Sequence, residues 1–238
     1  TSGAFLVYRA LEFIRDDICF QNMNVKIVGM GSGLAWSSLG PSHHTTEDIA
    51  VLRALPNLRI LSPATPVQLA ECVREAYHSR GPVYIRIGMN QEEEFFEGNY
   101  QLPQSGQDIM YDEGQVIIVT TGSILEEVMA ASDILDAEDI RTKIINVVRI
   151  KPFEERELIR RTQDANFIVT VEEHSIFGGL GSIVAELIAE HGTGKKLLRI
   201  GLEDMFAKGY GQRQKDVRRE NGLDAAGIAE KIREKYNE

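Results

Sequence analysis

The chain has 238 residues, with Lys plus Arg at 26 against Asp plus Glu at 36 and a formal net charge of −10 at pH 7. Hydrophobic residues at 43% and charged residues at 26% are the proportions of an ordinary folded protein, long enough for two domains with their own cores. No compact basic patch offsets the acidic balance and no apolar run approaches a membrane span, which speaks against nucleic-acid and membrane binding and for an acidic cytoplasmic protein.

In chain order, the first predicted element is an amphipathic helix over 4–15. Its start so close to Thr1 points to a further portion of the parent protein upstream. Phe5, Tyr8, Glu12 and Arg15 share one stripe of it, and Leu6, Ala10 and Phe13 another. The two aromatics read either as a subsidiary core or subunit contact, or as a stacking platform for a flat ring. Strands are predicted at 25–29, 59–62, 83–87, 116–120, 142–147, 167–171 and 197–201. Most are apolar throughout, as in parallel sheets covered on both faces. Helices alternate with them. Thr65-Pro66-Val67-Gln68 offers a capping hydroxyl, a proline at the first helical position and a glutamine three residues on; Ser123-Ile124-Leu125-Glu126 reads as a capping box, and Asp224 as the cap of the last helix. Cys19 and Cys72 lack C-x-x-C spacing or His companions, so neither a disulfide framework nor a zinc site is expected.

Gly29-Met30-Gly31-Ser32-Gly33 follows the first strand, but its third glycine is one position early for a dinucleotide fingerprint and no helix pattern follows; it reads as a flexible crossover loop. Gly40-Pro41-Ser42-His43-His44-Thr45-Thr46-Glu47-Asp48 is the richest segment. A rigid Gly-Pro turn holds two histidines before a helix that Thr45 and Asp48 are expected to start, beyond a strand's C-terminal end, where parallel sheets bind ligands. Histidine there suits a carbonyl or alkoxide in mid-reaction. The polar stretch from Met89 reads as a linker, dividing the chain into 1–88, 89–114 and 115–238. Gly178-Gly179-Leu180-Gly181 opens a helix after a strand, but Glu172 and Glu173 just upstream would repel a phosphate, so tight helix–sheet packing is the expected role.

Taken in order, Thr1-Ser2-Gly3-Ala4-Phe5-Leu6-Val7-Tyr8-Arg9, Gly40-Pro41-Ser42-His43, Glu47-Asp48-Ile49-Ala50-Val51-Leu52-Arg53-Ala54-Leu55-Pro56-Asn57 and Gly81-Pro82-Val83-Tyr84-Ile85-Arg86 resemble the pyrimidine-binding domain of transketolases. Val148-Arg149-Ile150-Lys151-Pro152 and Val171-Glu172-Glu173-His174, running into the Gly178 motif, resemble the transketolase C-terminal domain. The resemblance implies an α/β protein of two doubly wound domains: a partial pyrimidine-binding domain, then a C-terminal domain with a mostly parallel sheet. It implies the C-terminal part or subunit of a thiamine-diphosphate enzyme that transfers a two-carbon ketol unit between sugar-type carbonyl substrates. Phe5 and Tyr8 would pack around the cofactor's aminopyrimidine, and His43 would hydrogen-bond oxygens of the donor ketose.

The resemblance also implies what this chain lacks. The family's ring-activating glutamate would lie upstream of Thr1. No Gly-Asp-Gly motif for diphosphate is present, so the thiamine diphosphate and its Mg or Ca would be shared with a partner diphosphate-binding subunit or domain, in a homodimer or an α2β2 assembly. Several family positions depart: Leu39 replaces an aspartate that reads a sugar hydroxyl, Gly31 a histidine twelve residues before His43, Met89 a phosphate-gripping arginine, and Ser2 the first aromatic of the pyrimidine helix. Loss of such polar readers changes specificity strongly. The competing readings are a deoxyxylulose-phosphate-synthase-like or 2-oxo-acid-decarboxylating subunit, a non-catalytic interaction subunit, and an unrelated nucleotide-binding protein.

Overall fold

The computed structural model describes residues 1–89, 92–209 and 211–238; Asn90 and Gln91, in the expected linker, lie outside the described residues. Two sheets carry the architecture. β1 (Lys26–Met30), β2 (Arg59–Leu61) and β3 (Val83–Ile87) run parallel in the order β1-β3-β2. In the second sheet, β5 (Val116–Thr121), β6 (Thr142–Val147), β8 (Phe167–Ser175) and β9 (Leu197–Leu202) run parallel in the order β6-β5-β8-β9. These are the seven strands expected from the sequence, and the fold is α/β with two mostly parallel sheets.

Two three-residue strands were not legible in the pattern. β4 (Gln107–Ile109) adds antiparallel to the outer edge of β6. β7 (Arg149–Lys151) leaves the second sheet altogether and pairs antiparallel with β2, so the first sheet is completed by a strand from later in the chain. Burial on both faces holds for β5, β6 and β8 but not for β1, whose Val28 and Met30 face outward on an edge strand.

The leading helix is longer and more irregular than its pattern suggests. A π-helical turn (Phe5–Arg9), a short α1 (Leu11–Phe13) and a second π-helical stretch (Ile14–Phe20) follow one another. Wide π turns rotate the buried stripe onto Val7, Ile14 and Cys19, leaving Phe13 outside. The helices that follow are α2 (Asp48–Arg53), α3 (Pro66–His78), α4 (Leu125–Asp136), α5 (Glu155–Arg161), α6 (Leu180–Glu190), α7 (Gln214–Glu220) and α8 (Ala225–Tyr236).

Thr65 and Asp224 cap α3 and α8 as expected, accepting from the N–H of Gln68 and Gly227. Two other expected caps are absent. α4 is entered through a 3-10 turn, Gly122–Ile124, with no side-chain cap; Ser123 Oγ lies 3.5 Å from Glu173 Oε2 instead. Asp48 does not cap α2 because buried partners in β3 take its carboxylate. One apolar cluster runs unbroken through both halves, joining Val7, Ile49, Ile60 and Tyr84 of the first to Ile117, Ile145, Leu180 and Val184 of the second. Cys19 and Cys72 are both free and buried.

Candidate active site

The loops that leave β1 and precede α2 meet at the C-terminal edge of the first sheet. Gly31 and Gly33 adopt left-handed backbone, with φ of 76° and 58°, and Gly33 bridges Thr45. Residues 34–39 form turns rather than a helix, so the glycine loop is not a nucleotide cradle. Its role is docking: a Cβ on Gly33 would sit 2.7 Å from Glu173 Cγ, and the next amide, Leu34 N–H, donates to Glu173 Oε1 at 2.9 Å. Only glycine lets the loop close on the second half.

Gly40 turns the chain, and its carbonyl accepts from the N–H of His43 (2.9 Å) and of His44 (3.3 Å). The two imidazoles enter different surroundings. His43 Nδ1 lies 3.0 Å from Ser42 Oγ, and its ring meets Phe5 edge-on, with centroids 4.9 Å apart; the Trp36 ring also meets it edge-wise, at 6.5 Å. Phe5 and Tyr8 are 36% and 39% exposed, so neither is sealed in a core. The Tyr8 hydroxyl donates to Glu47 Oε2 at 2.7 Å and accepts from Glu47 N–H at 3.0 Å; burial first, then the Glu47 carboxylate, raises its pKa well above that of a free tyrosine. His44 is 3% exposed, and among the described residues neither of its ring nitrogens has a partner. Burial lowers its pKa below the usual histidine value, with Glu173 and Glu47 pulling the other way.

Behind this wall lies a charged network that the sequence pattern did not reveal. Arg86 Nε donates to Asp48 Oδ2 at 2.9 Å, Tyr84 O–H donates to the same oxygen at 2.8 Å, and both charged side chains are fully buried. Arg86 also donates to the carbonyls of Thr45 (3.2 Å) and Glu173 (3.1 Å), tying the histidine loop to β8. Burial opposes its charge, yet Asp48 outweighs that and its pKa stands above the ordinary arginine value. Glu173 accepts from Arg218 at 2.8 Å and Gln214 at 2.9 Å; burial works against the charge, but these donors hold its carboxyl below the usual range.

Glu172 explains the Gly178 motif. Its two oxygens accept from Leu180 N–H (2.7 Å) and Gly181 N–H (2.8 Å), so the carboxylate itself occupies the start of α6. A Cβ on Gly179 would stand 2.1 Å from Glu172 Oε2, and one on Gly178 would meet Ala50 of α2 at 2.6 Å. The motif packs helix against sheet, and its anion is internal.

The departures from the family pattern lie around this wall. Met89 and Trp36 line a cleft of about 500 Å³ together with Ser37, Arg213, Lys215 and Arg218. Leu39 is half exposed. Buried polar atoms without partners among the described residues gather at the same loops: Ser2 Oγ, Trp36 Nε1, both His44 nitrogens and Thr45 Oγ1. Aromatic faces beside unpaired donors and acceptors fit a heteroaromatic ring and an oxygen-rich substrate. They do not fit a diphosphate with its cation: among the described residues no group of three acidic, His or Cys side chains is placed to hold a metal. Also among the described residues, no helix is long and apolar enough to cross a membrane.

Comparison with known proteins identifies the family. The family model for the transketolase pyrimidine-binding domain matches residues 1–91, and that for the transketolase C-terminal domain matches 108–228. The chain is 34% identical to one of the subunits of the apulose-4-phosphate transketolase of Actinobacillus succinogenes, over 96% of this chain and 73% of the relative. It is 36% identical to the 1-deoxy-D-xylulose-5-phosphate synthase of Chlorobium luteolum over 96% of its own length, though only 36% of that enzyme's. A solved structure of a split-gene transketolase, an inactive β4 tetramer, superposes with a TM-score of 0.88 at 31% identity, covering 98% of this chain and 74% of that one. Sequence motifs, sheet order and these relatives converge on one conclusion: the chain belongs to the transketolase family of transferases, in which thiamine diphosphate is the cofactor, and it spans that family's pyrimidine-binding and C-terminal domains.

Proposed function

We propose that this chain is the ring-binding and substrate-histidine half of a thiamine-diphosphate-dependent enzyme that moves a two-carbon ketol unit between sugar-type carbonyl compounds. The diphosphate and a Mg or Ca ion are held by a separate N-terminal subunit, two such pairs forming an α2β2 assembly. In this reading residues 1–88 cradle the ring, 89–114 connect the halves and contribute β4 to the second sheet, and 115–238 buttress the site. The observation that carries it is the Phe5–His43 contact beside Tyr8, an aromatic wall open to solvent with no metal-holding cluster among the described residues. Phe5 and Tyr8 would hold the pyrimidine, and the cofactor, when bound, supplies the carbanion chemistry that a protein side chain cannot. His43, oriented by Ser42 and Phe5, would donate to or accept from substrate oxygens as charge develops on them. The relative that is inactive as a β4 tetramer supports the need for a second kind of subunit.

Calorimetry tests this directly. Thiamine diphosphate with Mg²⁺ should give no resolvable binding heat with this chain alone, and saturable binding once a transketolase N-terminal subunit is added. In that assembly His43→Ala should lower kcat about 100-fold, and His44→Ala less. Tight binding by the isolated chain would overturn the shared-site reading. Undiminished turnover in the His43 variant would leave the competing one, an interaction subunit, which the changes at Leu39, Gly31 and Met89 favour.

A further inference from the structure

The end of β8 leaves the second sheet and holds the histidine loop from behind, through three successive residues. Glu173 O accepts from Arg86 Nη2 at 3.1 Å, and the same nitrogen donates to Thr45 O at 3.2 Å. Ser175 N–H donates to Thr46 O at 2.7 Å. Between them, His174 Nδ1 donates to Ser175 O at 2.6 Å, which leaves Nε2 as the acceptor facing Ala50 N–H of α2 at 3.4 Å. The Glu173 side chain, 2% exposed, reaches forward from the same point. Its Oε1 accepts from Leu34 N–H at 2.9 Å, and the preceding Gly33 exchanges both backbone hydrogen bonds with Thr45, each at 2.9 Å. Thr45 is thus fixed from two sides, two residues beyond His43. The entry of the histidine loop closes on itself through Gly40 O, whereas these contacts at its exit all lead back to Glu173, His174 and Ser175. Arg218 and Gln214 of α7 in turn keep the carboxylate where it is.

We infer that Glu173 is a positioning residue: through Leu34, Gly33 and Thr45 its carboxylate sets the place of His43, so that the second half of the chain takes part in turnover without touching substrate. This rests on the ketol-transfer reading above, in which His43 acts on substrate oxygens. A misplacement of about 1 Å in such a group is enough to slow a reaction about 100-fold. A buried carboxylate held by several donors resists that movement, because shifting it would leave charge and donors unpaired.

Glu173→Asp tests this, because it keeps the charge that pairs with Arg218 and withdraws the oxygen from Leu34 by one methylene. The chain is assembled with an N-terminal subunit, thiamine diphosphate and Mg²⁺, and apulose 4-phosphate, 6-deoxy-6-sulfofructose and fructose 6-phosphate serve as donor probes. With whichever of them is turned over, Glu173→Asp should lower kcat about tenfold, with KM and the cofactor's Kd within about twofold. The double variant with His43→Ala is the decisive measurement. A residue that acts through His43 has nothing left to act through, so the double variant should be as slow as His43→Ala alone. A merely structural loss would multiply with that of His43→Ala. Multiplying losses, or an unchanged kcat in Glu173→Asp, overturn the proposal, while the loss in His43→Ala by itself leaves the ketol-transfer reading intact. Should Glu173→Asp fail to fold, Glu173→Gln, which keeps the length and loses the charge, is read in the same cycle. Undiminished turnover in His43→Ala, or cofactor-loaded enzyme that turns over none of the three probes, defeats the functional reading and this inference with it.

Discussion

Arg86→Met is expected to cost about 3–5 kcal/mol of folding stability, read as a lower urea midpoint with an unchanged slope. The variant keeps the side chain's bulk and removes its charge, leaving the Asp48 carboxylate fully buried with Tyr84 O–H as its remaining donor. The carbonyl of Glu173 loses a donor at the same time, and that of Thr45 is left with the Gly33 N–H. Unpaired buried charge is what makes such a loss large. The double variant Arg86→Met with Asp48→Asn should therefore lose less than the sum of the two single changes, since no lone charge is left inside. A cost under about 1 kcal/mol for Arg86→Met would show that the pair contributes little beyond its packing.

Asp108→Asn is expected to stabilise the protein at pH 7 to 8. Asp108 on β4 is buried and accepts from Tyr100 O–H at 2.8 Å and Gln68 Nε2 at 2.7 Å. Burial pushes its carboxyl up from 3.8 to about 6, with the two donors pulling it back only in part. A folded-state value above the unfolded one means that the group favours folding below pH 4, where it is protonated in both states. That contribution is lost as pH rises through 6. The rise corresponds to about 3 kcal/mol as an upper figure. Asparagine keeps an oxygen for both donors and carries no charge to bury. The difference in stability between variant and wild type should thus grow from pH 4 to 6 and level off above. A flat difference across that interval would mean that Asp108 is ionised without penalty.

The legible parts of this protein were those whose signal is local. The central strands announced themselves by unbroken apolar runs, and β3 and β6 fall on their expected bounds. Thr65 and Asp224 cap their helices because a short side chain beside its own helix start has little else to reach. Ser123 and Asp48 look the same in sequence, but each lies within reach of a buried partner from a distant segment, and a charged or hydrogen-bonded partner in the core outcompetes a local cap. β4 and β7 are too short for any periodicity and exist only because a neighbouring edge was free. Of the proposed site, Phe5, Tyr8 and His43 came from the family resemblance, and the structure brings the Phe5 and His43 rings together. Glu47, Arg86 and Glu173 were not legible, since nothing local distinguishes a buried ionic side chain from a solvated one.

The strand lent by the later half to the margin of β2 also bears on where the chain can be divided. A gene cut between the halves would free two products, one of them with a bare sheet margin ready to zip onto any extended peptide it met. Severing the chain there is thus expected to yield fragments that aggregate instead of two well-behaved domains.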